Sequence, residues 1–129
     1  MNLYGTAALM VAQSFRQGQN PEAEWEKAIK QLTSKTSVQE KACPKDAFLG
    51  LCTAGLVKNI PAGQYTSSVD NRAYAEEGVR LLKSNRKYWS FSKIQLWKEV
   101  LKTLKCNQNK RHNQKMNVVL SLWQNNLIF

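Results

Sequence analysis

The apolar residues of this chain recur at steps of three and four almost from end to end, and that period belongs to the amphipathic helix. Tyr4, Ala7, Ala8, Val11, Ala12 and Phe15 form the first such stripe. Trp25, Ala28, Ile29 and Leu32 form the second. Tyr74, Ala75, Val79 and Leu82 follow, then Ile94, Trp97, Val100, Leu101 and Leu104, then Met116, Val119, Leu120 and Trp123. No stretch alternates apolar and polar residues as a half-buried strand does. No repeat and no low-complexity tract breaks the pattern. Helices that each bury one stripe must pack on one another, so the fold expected is all-α: a single compact bundle of five to six helices, orthogonal or irregular in arrangement. With 129 residues, one core accounts for one domain over residues 1–129.

Local signals place the ends of these helices. Gly18 reads as the C-cap of a helix over Tyr4–Phe15. Asn20 with Pro21 opens the next, and Glu22 and Glu24 oppose the positive end of its dipole. Ser37 with Glu40 reads as the capping box of a short helix that Pro44 interrupts. A helix over Pro44–Val57 precedes a loop of Gly, Pro, Ser and Asn from Lys58 to Asn71. Helices over Asn71–Asn85, Ser92–Leu104 and Asn113–Gln124 complete the chain, and Leu127-Ile128-Phe129 is expected to fold back on the core, since left in water it would be a sticky patch.

The cysteines limit the compartment and the chemistry. Cys43, Cys52 and Cys106 are odd in number and show no C-x-x-C pairing, which argues against a disulfide framework and for reducing surroundings. A zinc site would need all of them together with the lone His112, at spacings without finger or ribbon logic. No metal and no cofactor are expected. The longest early apolar run, Ala7–Ala12, is too short for a secretory core or a membrane span. The cytoplasm is the expected location.

On a helical wheel of the fourth segment, Ala47, Phe48, Leu51, Cys52 and Gly55 share one arc, and Cys43 lies at its edge. Cys52 reads as a small core residue. Cys43 reads as the N-cap of its helix, where free amides, the dipole and the neighbouring Lys41 and Lys45 favour a thiolate. It is the candidate nucleophile, with His112 as the candidate base. The two short helices around Pro44 also have the outline of a helix-turn-helix. Their outward positions Asp46, Gly50, Thr53 and Ala54 offer nothing that reads bases, and Gly50 suits the close approach of another helix.

The charge is the strongest pointer to a partner. The net charge is +10, and residues 80–115 account for all of it: eleven basic residues stand there against Glu99 alone. Lys98, Lys102 and Lys105 form one stripe along a helix. Arg80, Lys83 and Lys87 form another. Between them Arg86, Lys87, Tyr88, Trp89 and Phe91 interleave cations with rings, which suits a groove where phosphates meet cations and bases stack. Lys110 and Arg111 extend the basic run. The alternative is that the lysines solvate a face while Tyr88, Trp89 and Phe91 anchor a helix junction in the core. Membrane binding is not expected, because the apolar faces of the basic helices are needed for the core.

Four segments carry a likeness to known proteins: Tyr4-Gly5 with Ala7-Ala8; the block CPKDAFLGLC through GLVKNIPAGQYT, from Cys43 to Thr66; Leu96-Trp97-Lys98-Glu99-Val100-Leu101; and His112-Asn113 through Trp123 with Leu127-Ile128. In them the chain resembles a family of small, uncharacterised bacterial proteins, a domain of unknown function. The resemblance implies a small bacterial, cytoplasmic domain and carries over no activity. Its pattern includes Cys43 and His112. The function expected first is a non-enzymatic binding or regulatory role in which the basic face meets nucleic acid or another polyanion. A thiol-dependent activity at Cys43 and a protein–protein adaptor are the alternatives.

Overall fold

In the structure, a computed structural model that describes residues 2–129, the helical period becomes α1 (Leu3–Ser14), α2 (Pro21–Leu32), α3 (Thr36–Gln39), α4 (Ala42–Thr53), α5 (Val69–Ser84), a 3₁₀ helix (Arg86–Ser90), α6 (Lys93–Thr103) and α7 (Lys115–Gln124). The fold is all-α. Beside the helices, the described residues hold one isolated β-bridge, between Val57 and Ile128. No described helix is long and apolar enough to cross a membrane.

Small polar side chains start the helices by satisfying amides that have no partner within the helix. Asn2 accepts from the amides of Tyr4 and Gly5, and Asn20 from that of Ala23, with Pro21 behind it. Ser92 and Gln95 form a reciprocal capping box at α6. The box expected at Ser37 and Glu40 does not form. α3 starts after Lys35, and Gln39 donates its side-chain amide to the Thr33 carbonyl at 2.8 Å. α4 begins at Ala42 with Lys41 as its N-cap, so Cys43 is not the cap residue but lies within the first turn. Pro44 allows this: a proline at the third helical position lacks only an N–H that would have had no helical partner.

Three helices end in the same way. The residue after the cap turns left-handed, and its amide and the next one return to the last turn, as in the Schellman motif. After α4, Gly55 (φ +73°) donates to Cys52 and Leu56 donates to Leu51. After α7, Asn126 donates to Trp123 and Leu127 donates to Leu122. After α6 the left-handed residue is Lys105, at φ 57°, with Cys106 donating to Leu101. A lysine pays a steric penalty there that glycine avoids. Lys105→Gly is therefore expected to raise stability by about 0.5–1 kcal/mol, net of the chain entropy that glycine loses on folding. A thermal melt checks it, and a lower Tm would contradict the geometry. The cap expected at Gly18 is displaced: α1 ends at Ser14, Phe15 leaves extended, and Gly18 makes a later turn at φ +91°.

α4 is the central helix, packed on α1, α2, α5 and α7. Phe48 stacks on Trp25 of α2, with ring centroids 5.3 Å apart. On its other side α5 comes so close that a Cβ on Gly50 would lie 2.7 Å from the Arg72 Cα. From Ala47 to Thr53 every residue of α4 is buried, so the body of this helix has no free face to lay in a DNA groove, which argues against the helix-turn-helix outline. Leu127 and Ile128 do fold back on the core. The amide of Lys58 donates to Leu127 O at 2.8 Å, and that of Phe129 to Leu56 O at 3.0 Å. The side chain of Phe129 stays outside, and so do Ile94 and Leu104 on α6.

Candidate polyanion-binding cleft

The loop between α6 and α7 is polar and basic, and side chains tie it to the core. The Trp97 indole donates to the Lys110 carbonyl at 2.7 Å. The Lys115 amine donates to the carbonyls of Arg111 at 3.4 Å and His112 at 3.2 Å. The His112 Nδ1 accepts from the Gln114 amide, and the Gln114 side chain accepts from Asn2 at 2.9 Å.

Lys115 is the keystone of this arrangement. It is 4% exposed, with its amine 4.6 Å from the Trp97 ring centroid and 5.3 Å from that of Tyr74. Those rings meet edge to face. Burial lowers its pKa; Cys43 nearby pushes the other way, and Lys110 and Lys41 add to the lowering. A cation desolvated against aromatic faces gains about 2 kcal/mol from them. Sequence counted Lys115 as one charge of the basic run. Its burial depends on rings from α5 and α6 converging, for which the local sequence holds no signal.

Around this loop lies an open cleft of about 330 Å³. Lys41, Lys98, Lys110 and Arg111 line it with His112, Ile94, Trp97, Gln108, Asn113 and Gln114, and no carboxylate lines it. Lys41 comes from the start of α4, far away in sequence, and was not among the expected binding residues. The His112 pKa is lowered by burial first and then by Lys93, Lys115 and Lys41. The ring is therefore neutral at pH 7, with Nε2–H free to donate.

The remaining expected residues are more dispersed. Lys83, Arg86, Lys87, Lys102 and Lys105 are exposed and lie outside the cleft. Arg80 is held by Glu77 through a forked pair, 2.6 Å at its shorter contact. Among the described residues it is the one member of the basic segment in an ion pair. Tyr88 is buried edge to face against Phe91, so it offers no face for stacking. The neighbouring Trp89 is the open ring.

Cys43 and His112 share a neighbourhood, since each acts on Lys115. No hydrogen bond joins them, and the His112 Nδ1 is already occupied. Cys52 is wholly buried, and burial drives its thiol pKa far up. In the native protein Cys43 and Cys106, both half-buried, are expected to alkylate while Cys52 stays unlabelled until denaturant is added. Mass spectrometry of the labelled chain reads this out. A thiol function requires in addition that Cys43 outpace Cys106 at neutral pH.

A family model described as "Family of unknown function (DUF6979)" matches residues 1–129. No curated protein and no solved structure matches the chain.

Proposed function

We propose, for a chain that belongs to this family of unknown function and inherits no activity from it, that it binds a phosphate-bearing polyanion, nucleic acid first among them, as a binding or regulatory protein rather than an enzyme. The observation that carries this reading is the cleft: four cations from three parts of the chain line one hollow, none is in an ion pair, and no carboxylate lines it with them. Lysines that merely solvate a face have no reason to line a concavity that lacks acids. Like charges held together repel, and an anionic ligand relieves that repulsion. The thiol reading has a half-exposed Cys43 but no base bonded to it. The bacterial cytoplasm is the location that goes with this proposal, since three unpaired cysteines suit a reducing compartment.

Fluorescence anisotropy with labelled DNA and RNA, single- and double-stranded, across a salt series tests it. Binding that weakens with salt at a log–log slope of several units is expected, because each neutralised phosphate releases counterions. No binding at low salt would reduce the charge to a solvation feature. A partner captured equally well after nuclease treatment would favour the adaptor.

A further inference from the structure

The two exposed aromatic side chains among the described residues lie outside the cleft. Trp89 is 48% exposed and Phe129 63% exposed, with the half-buried Trp123 beside them. The rings of Trp89 and Trp123 lie 6.1 Å apart and are tilted by 58°. Trp123 and Phe129, with Ile128 and Asn126, line a hollow of about 320 Å³ that has Lys83 at its edge. The Arg86 guanidinium stands 5.0 Å from the Trp89 ring centroid. Neither Lys83 nor Arg86 is in an ion pair.

We infer that this patch is a stacking platform for unpaired nucleobases, so that the polyanion is single-stranded nucleic acid rather than duplex. The inference rests on the polyanion reading and narrows it. Three features support it. The Trp89 ring is already fixed, its indole donating to the Leu82 carbonyl at 2.7 Å, and the backbone that carries Phe129 is paired with Leu56. Stacking on Trp89 therefore loses little side-chain entropy. The cations at the rim suit a ligand that carries a negative charge beside each flat apolar ring, which describes a nucleotide. A duplex hides the faces of its bases inside its own stack and cannot use such a platform. Lys93 stands between the platform and the cleft along the chain. Beyond Trp89 the chain passes Phe91 and Lys93, which line a polar hollow with Gln124 and Asn125, and Lys93 also acts on His112. A strand stacked at one end can follow Lys93 to Lys98 and Arg111 at the other.

The test compares an oligothymidylate of about twelve nucleotides, a duplex of equal length and heparin. Trp25 is buried, whereas Trp97 lines the cleft, so quenching is assigned to the platform only where Trp89→Leu abolishes it. The oligothymidylate is expected to quench tryptophan fluorescence and to bind more tightly than the duplex, while heparin binds without quenching. Trp89→Leu and Phe129→Ala are each expected to weaken oligothymidylate binding about tenfold and to leave heparin affinity unchanged. Phe129→Ala removes an exposed side chain and so provides a variant whose fold is safe. If heparin and oligothymidylate both bind but neither variant matters, or if the duplex binds as tightly, the platform is overturned and the polyanion reading stands. If none of the three ligands binds, both fail.

Discussion

Replacing Gly50 with valine is expected to destabilise the fold by about 3 kcal/mol and to lower Tm by about 10 °C. Gly50 lies where α4 crosses α5, and even a bare Cβ there would stand 2.7 Å from the Arg72 Cα. The obstacle is backbone, which cannot swing aside as a side chain would. The helices must part, and α4 is also the helix that α1, α2 and α7 rest on. Helix propensity works in the opposite direction, since glycine within a helix costs about 1 kcal/mol relative to alanine. The sign of the change is thus itself informative. A valine variant that melts with the parent, or above it, would show that the helices are not in close contact at this point. Denaturant unfolding followed by circular dichroism gives the free energy directly.

The second large effect is expected at the cleft. Changing Lys98, Lys110 and Arg111 together to glutamate should weaken binding to single-stranded nucleic acid by roughly a hundredfold or more at low salt. It should also flatten the log–log salt slope by about two units, because each lost phosphate contact contributes about 0.7. The fold should survive, since Trp97 holds Lys110 through its carbonyl and Lys115 holds Arg111 likewise. Reversal of Arg16, Lys30 and Lys35, all exposed and outside the basic segment, changes the net charge equally. If that control loses as much affinity as the cleft variant, binding follows overall charge and the cleft has no special part in it.

Much of the architecture was legible because helix period and capping are local. Asn20 with Pro21 opened α2 as its residues predict, and the buried stripe of α5 is the one its spacing marks. Failures arose where local pattern met nonlocal packing. Period names the apolar face of a helix but not the neighbour that covers it. Ile94 and Leu104 sit on the right stripe of α6, yet at its two ends, and remain exposed. Starting the helix at Pro44 made Cys43 its cap, and the first turn of α4 takes in both residues instead. In the candidate sites, the cations of the loop were visible as a basic run. The share of Lys41 in the cleft was not, and neither was the part of Trp123 and Phe129 in the platform, since each is brought in from another part of the chain.

The burial of Lys115 has a consequence for how any ligand would be felt. Its amine ties the carbonyls of Arg111 and His112 to the aromatic core, so the entropy of ordering the loop is lost when the chain folds, not when a ligand arrives. Binding then begins from a preformed surface and keeps more of its contact energy as affinity. The same tie makes ligation and folding a single linked equilibrium. A polyanion present at a hundred times its dissociation constant would raise the unfolding free energy by about 2.7 kcal/mol, and the loop that meets it would be among the last parts of the molecule to let go.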